Sequence, residues 1–366
     1  STLRYTDPKG KSLAEIASEL NVGIIVEGSV QRVGNLMHIN AQLINAATDE
    51  HIWSERYERS VSNVLVLQSE IAKSIARAVN VALTDDEESR LNTTRTINPE
   101  VYEAYLRGRY YLDNPKRGEP RLGLDFMRKA IEIDPADPLA YAGLAEAYVI
   151  LAHGFNPPDD AFPKARAAVD KALSLDPLNA QAHAVDAHIN LYYEYDYDRA
   201  ESAFYRAIEL NPNLALNRYH YAWYLALIGR FDEALEQHEI ARELDPLSPK
   251  FTIDIAAIYL LAYRAEDALD FLENLAPEFR NHRSTLHWKG AALSMLGRHD
   301  EAITVHKQLA EQVPMLIVIL SETYAAAGRA DEALAIVEKV DFEKMGAGIA
   351  LFMSVTYASL GNFDAC

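Results

Sequence analysis

Apolar and polar positions along most of this chain repeat with helical spacing, broken at a fixed interval by one short phrase. The phrase reads Gly229-Arg-Phe-Asp-Glu-Ala234, Gly297-Arg-His-Asp-Glu-Ala302, Gly328-Arg-Ala-Asp-Glu-Ala333 and a clipped Gly361-Asn-Phe-Asp-Ala-Cys366. The alanines at 165, 200, 234, 268, 302 and 333 stand 35, 34, 34, 34 and 31 residues apart. A period of that length predicts stacked helical hairpins, each burying its apolar face on its neighbours. Glycine after an amphipathic run suits the left-handed end of a helix, and an Asp two or three residues later suits the cap of the next. On that reading Gly229 closes one helix and Asp232 opens another. Ala234 falls where only a small side chain lets two antiparallel helices approach closely. Pro135, Pro177, Pro212, Pro246 and Pro314 end the second helix of a pair, where Pro cannot continue it.

The first ~95 residues follow other periods. Residues 11–20 predict a short helix, with Ser12 as cap and Glu15 three residues later. Residues 23–30 and 36–44 predict strands joined across Gly34-Asn35, a two-residue hairpin signal. In the second of these, Met37, Ile39, Ala41 and Leu43 share one face, and His38, Asn40 and Gln42 the other. A third strand is predicted at 51–57. A helix follows from Val64 to Leu83, its apolar positions Leu67, Ile71, Ile75 and Val79 recurring every fourth residue.

From about Pro99 to the end, the chain resembles a tetratricopeptide (TPR) array. Tyr221-Ala222, Leu225, Gly229, Ala234, Ala241 and Pro246 stand in that pattern, as do Leu144, Ala145, Tyr148, Ala165, Ala172 and Pro177, and Gly290, Leu293, Gly297, Ala302 and Pro314. The string Val26-Glu-Gly-Ser-Val30, Ala41 to Asn45, His51-Ile-Trp53 and Leu67 to Ala72 resembles the TolB amino-terminal-like domain. The expected fold is therefore mainly α: a right-handed TPR helical-hairpin solenoid over residues 96–366, with seven hairpins and a truncated eighth, preceded by a partial α/β domain with a mostly antiparallel sheet over residues 1–95. The resemblance implies a further strand and helix ahead of Ser1, so the chain is expected to be a fragment at both ends. It also implies a bacterial signalling setting, in which an upstream class III cyclase, winged-helix or Ser/Thr kinase module supplies the output. None of those modules is recognisable in these residues.

Departures from the period predict loops on one rim of the array. About eight extra residues fall around His153 to Asp160, within a 152–163 insertion, and about three around Pro115 to Pro120. These can serve as partner-contacting loops or as tolerated surface extensions.

Charge narrows the partner. The net charge is −19, and residues 1–97 hold 10 basic and 13 acidic side chains, leaving −16 to the repeats. That field repels phosphate polyanions, so a protein or peptide is expected rather than nucleic acid. No apolar run reaches the ~18 residues of a membrane span, and no insertion is expected. The expected location is the cytoplasm, or the periplasm if an upstream span exists. The single cysteine, Cys366, leaves no internal disulfide framework.

Catalytic and metal constellations are weak, and no cofactor, metal or catalytic residue is expected. His183 with His188 and His282 with His287 are five apart, which turns them about 140° from one another on a helix. Asp85 to Glu88 after Thr84, and Asp196-Tyr-Asp198, read as helix caps with first-turn acids rather than calcium loops. A cryptic hydrolase or metalloenzyme has little to support it.

If the TPR register holds, the first helix of each pair lines a concave groove. Its positions are Tyr102, Tyr105 and Arg109, then Glu146, His188 and Tyr192, Tyr219 and Trp223, Ile253 and Ala257, and His287. Tyr and Trp give large contact area at low entropic cost, although several of them could instead pack between neighbouring hairpins. TPR domains that clamp a C-terminal carboxylate use Lys, Asn and Arg where this chain has Tyr105, Ala142, Ala184 and Tyr219, so a chaperone-tail clamp is not expected. Two readings follow: a regulatory and scaffolding region of a signalling protein or transcription regulator, or a free-standing TPR assembly adaptor without an output domain. An open sheet edge in the α/β part also predicts a homodimer.

Overall fold

A computed structural model describes residues 12–20, 22–60, 64–80, 98–113, 120–152, 157–339 and 355–361. Residues 81–83, the acidic run at 85–88, the insertions at 114–119 and 153–156, and the end of the clipped phrase with Cys366 lie outside the described residues. The chain divides by contact into two compact units, residues 1–140 and 141–366, whereas the change of period in the sequence falls near 95.

The first unit opens with α1 (Leu13–Leu20). Its cap is reciprocal: the Ser12 amide donates to Glu15 Oε2 at 2.7 Å and the Glu15 amide to Ser12 Oγ at 3.3 Å. Strands β1 (Ile24–Val33), β2 (Leu36–Asn45) and β3 (Glu50–Ser60) form an antiparallel sheet in that order. The pair Val33 and Leu36 leaves Gly34-Asn35 as a two-residue loop, and Gly34 has φ +59°. The alternation read from β2 is the core face: Met37, Ala41 and Leu43 are buried, and α2 (Val64–Ala78) lays Leu67 and Ile71 against Met37, Ile39 and Tyr57. The first hairpin, α3 (Pro99–Asp113) and α4 (Pro120–Ile133), falls in the same unit. Val101 and Ala104 of α3 pack on Ala130 of α4.

Six further hairpins follow among the described residues. They are α5 (Pro138–Ala152) with α6 (Pro158–Leu175), α7 (Ala180–Ile189) with α8 (Tyr197–Leu210), and α9 (Ala215–Leu227) with α10 (Phe231–Leu244). In the fifth hairpin the first helix is broken at Asp254 into α11 (Pro249–Ile253) and α12 (Ile255–Leu261), and pairs with α13 (Ala265–Glu273). After the short α14 (Pro277–Arg280) come α15 (Arg283–Met295) with α16 (His299–Gln312), then α17 (Ile317–Ala326) with α18 (Ala330–Val337). The periodic alanines at 165, 200, 234, 268, 302 and 333 are each fully buried. This is the small-residue contact the period requires.

The turn phrase works differently from its sequence reading at one point. Gly229, Gly297 and Gly328 take φ of +82°, +73° and +71°, and the amide after each bonds back to the carbonyl five residues earlier, as Arg230 does to Leu225 at 2.8 Å. Asp232 does not cap α10: the cap position is Arg230, without a side-chain cap bond, and Asp232 lies within the first turn. Each turn arginine instead pairs with an acid three residues on: Arg230 with Glu233 (2.6 Å), Arg264 with Asp267 (2.6 Å), Arg298 with Glu301 (2.7 Å) and Arg329 with Glu332 (2.8 Å). Tyr195 and Tyr263 hold the same left-handed position with φ +56° and +58°, where the other turns carry glycine. Asp196 does cap α8, accepting from the Arg199 amide at 3.0 Å.

The interval of 35 in the alanine series also has a structural cause. Helix α7 ends in a wide π turn, Asn190–Glu194, which absorbs the extra residue. The turn brings the fully buried Asn190 onto Asp186, where its side-chain amide donates to the carbonyl at 2.8 Å and to Oδ1 at 3.0 Å. Arg166 of α6 donates to Asp186, to Asn190 (3.2 Å) and to Glu194 (2.9 Å), so the added residue completes a polar network between the second and third hairpins.

Candidate functional site

Side chains on the first helices of successive hairpins in the second unit meet as a strip. Gln181 of α7 donates to Glu146 of α5 at 2.5 Å. His188 stacks near Tyr192 with ring centres 5.7 Å apart, and meets the ring of His220 on α9 edge-on at 4.1 Å. The strip continues through a carboxylate anchored from both sides. Tyr219 of α9 donates its hydroxyl to Asp254 Oδ2 at 3.0 Å, and Trp288 of α15 donates Nε1 to Asp254 Oδ1 at 3.0 Å. Three consecutive hairpins are thereby tied through one side chain at the break between α11 and α12.

Burial pushes the Asp254 carboxyl above its ordinary range, opposed by the two donors and by the charge of Lys250. Burial, then the Asp254 charge, pushes the Tyr219 phenol up as well. The Lys250 ammonium stands 5.3 Å from the centre of the Tyr219 ring, and Trp223 meets that ring at 74° with centres 6.3 Å apart. This region offers a cation, a carboxylate and aromatic edges together.

The candidate residues read from the sequence are distributed unevenly. Glu146, His188, Tyr192, Trp223 and His287 are half-buried on the strip, whereas Tyr219, Ile253 and Ala257 are buried, Tyr219 and Ile253 packing between hairpins. Tyr102, Tyr105 and Arg109 belong to the first unit and are half-buried, with the two tyrosine rings stacked at 6.4 Å. Asp254, Trp288 and His220 were missed because each stands one residue beyond a position used in the register: 253, 287 and 219. Burial, with the charge of His306 second, lowers the His287 pKa to about 4.

The histidines read as poor metal ligands have other partners. His183 Nε2 lies 2.9 Å from the Pro177 carbonyl, and His282 Nδ1 accepts the Ser284 amide at 3.2 Å as the cap of α15. Among the described residues no cluster of three or more His, Cys, Asp and Glu could hold a metal ion, and no helix is long and apolar enough to cross a membrane.

A family model for the tetratricopeptide repeat matches residues 318–339. The chain is 33% identical over 139 residues to "Putative adenylate cyclase 3" of Rhizobium meliloti, covering 37% of this chain and 24% of that protein. It is 23% identical over 322 residues to "Transcriptional regulator HilA" of Salmonella typhimurium, covering 86% of this chain and 57% of that protein. The chain thus spans about a quarter and just over half of these relatives. Among solved structures, a tetratricopeptide repeat protein from Parabacteroides merdae superposes with a TM-score of 0.51 at 15% identity, covering 71% of this chain and 99% of that one. Yeast Tom70 gives 0.50 at 17% identity, covering 72% and 58%. The fold is that of a TPR solenoid preceded by a small antiparallel sheet.

Proposed function

We propose that this chain is a non-catalytic, protein- or peptide-binding regulatory and scaffolding region of a bacterial signalling or transcription-regulating protein, and that the strip on its first helices receives the partner. The observation that carries this reading is the run of half-buried aromatic and polar groups from Glu146 through His188 and Trp223 to Trp288, whose fourth to sixth hairpins are tied by Asp254. The names of the two partial relatives support the signalling setting, and the acidity of the repeats favours a neutral or basic polypeptide over nucleic acid. A TolB amino-terminal-like identity for the α/β part, with an output module elsewhere in a longer protein, belongs to the same proposal, as does a cytoplasmic setting. A free-standing assembly adaptor is the alternative.

Peptides selected from a random library against the 366-residue chain provide the test. Trp223→Ala and Glu146→Ala should weaken their capture while leaving helical circular dichroism intact. Selected peptides indifferent to both changes, yet displaced by substitutions on the second helices, would overturn the strip as the binding face.

A second contact has its own observation. Among the described residues β1 is an edge strand of ten residues whose Val26 and Val30 are 53% and 69% exposed, and such an edge is a template for pairing with another strand. We propose a homodimer through β1. Light scattering that finds only monomer at high concentration would exclude it.

A further inference from the structure

Helix α3 has two apolar faces, and hairpin packing explains only one. Val101, Ala104 and Leu112 are buried, and Gly108 is pressed so closely by Met127 that a Cβ there would lie 2.7 Å from its terminal methyl. The other face carries Tyr102, Leu106 and Tyr110, spaced every fourth residue, with Leu106 and Tyr110 48% and 51% exposed. One amphipathic stripe suffices to seat a helix in a hairpin. A second, left open to water, disfavours solubility.

This second face lines an open pocket of about 610 Å³ within the first unit, together with Met37 of β2, Gln68 of α2 and Phe126 of α4. The size falls inside the ~300–1,000 Å³ typical of small-molecule sites, as does a wall that is apolar with a few convergent polar groups. Its aromatic side is ordered: Tyr111 stacks on Phe126 at 5.7 Å and 8°, and Tyr110 meets Tyr111 edge-on at 5.6 Å.

The polar groups give the ligand its sign. Glu103 takes Arg107 at 2.8 Å and Arg32 at 3.6 Å, so two guanidinium groups share one carboxylate at the mouth. The lining therefore carries one net positive charge in a chain of net charge −19. Both arginines are more than half exposed, which leaves their outer N–H groups accessible, and Arg107 lies 5.9 Å from the Phe126 ring centre. Leu106, Tyr110 and Met37 supply apolar lining for a flat body, and the arginines a partner for a single anionic group.

We infer that this pocket is a binding site for a small amphipathic anion, an aromatic or branched apolar molecule bearing one carboxylate or sulfonate. The site is separate from the strip of the second unit and does not depend on its role.

Fluorescence titration of the full chain with 8-anilinonaphthalene-1-sulfonate tests it, alongside the uncharged N-phenyl-1-naphthylamine. The sulfonate should saturate at one per chain. Arg107→Gln should weaken it about two- to fivefold, the scale of one exposed ion pair, with Arg32→Gln as a second variant on a different element. Glu103→Gln should tighten it, because removing the competing carboxylate raises the positive charge at the mouth. Leu106→Ser should weaken both probes, whereas the neutral probe should ignore the arginine changes. All four side chains are substantially exposed, and circular dichroism checks that each variant is folded. Unsaturable binding, a sulfonate affinity indifferent to both arginines and to Glu103, or parallel responses of the two probes would overturn the assignment.

Discussion

Gly290 provides a sharp test of how the sixth hairpin is packed. An ideal Cβ at this position would lie 2.1, 2.3 and 2.6 Å from Nε2, Cδ2 and Cε1 of His306, inside any tolerated contact. The ring is held from retreating. Nε2 donates to the His287 carbonyl at 3.1 Å, and Nδ1 lies 2.6 Å from Thr323 Oγ1, a hydroxyl that also reaches the Ile319 carbonyl at 2.9 Å. Overpacking of this kind costs about 1–3 kcal/mol. Losing a buried hydrogen bond as the ring is displaced costs about another 1–3 kcal/mol. Alanine returns about 1 kcal/mol of helix propensity, so Gly290→Ala should lose about 1–5 kcal/mol. In a His306→Ala background the obstacle is gone, and the same change should be neutral or stabilising by up to about 1 kcal/mol. Thermal midpoints of the four proteins of this cycle, with hydrogen exchange in α15 and α16 to locate the loss, read the difference. A Gly290→Ala protein as stable as the parent, or an equal loss in both backgrounds, would refute the close approach of glycine and histidine.

Asp254→Ala should cost about 2–4 kcal/mol, since it strands the Tyr219 hydroxyl and the Trp288 indole without their acceptor; unchanged exchange protection in α9 and α15 would contradict the three-hairpin link. Tyr263→Gly should stabilise the chain by about 0.5–1 kcal/mol, relief from a left-handed backbone exceeding the entropy that glycine adds to the unfolded state; a lowered thermal midpoint would mean the 87%-exposed ring makes a contact worth keeping. Burial holds His238 and His287 near pKa 4 against an ordinary value of 6.5, and lowers His306. Their stabilisation is complete above pH ~6.5 and falls as pH drops toward 4, by up to a few kcal/mol, because the unfolded chain binds the protons first. Asp254, raised by burial, works in the opposite sense. Melting at pH 7.5 and 5.0 should show the loss, and a His238→Gln, His287→Gln protein should lose less.

The repeating part was legible because its determinants are local. Burial of an alanine every 34 residues, a glycine free to turn left-handed, and a proline that stops a helix all act within a few residues of themselves. The Gly34-Asn35 loop and the Ser12–Glu15 cap share that property. What could not be read depended on partners a full repeat away. Tyr195 and Tyr263 take a left-handed conformation suited to glycine, which their residue type does not signal. Tyr219 was read as a groove residue, yet its hydroxyl is claimed by Asp254, 35 residues later. The pocket of the first unit joins side chains from β2, α2, α3 and α4, which no single period connects.

The Asp254 link also bears on how the array responds to force. Stacked hairpins that touch only their neighbours extend and flex as a soft spring, each interface yielding independently. A carboxylate that holds the hydroxyl of the hairpin before and the indole of the hairpin after makes the fourth, fifth and sixth hairpins deform as one segment. Bending therefore concentrates at the junctions on either side of that segment. A partner that grips across it meets a surface of fixed pitch, while one that straddles its ends can draw the two flanks together.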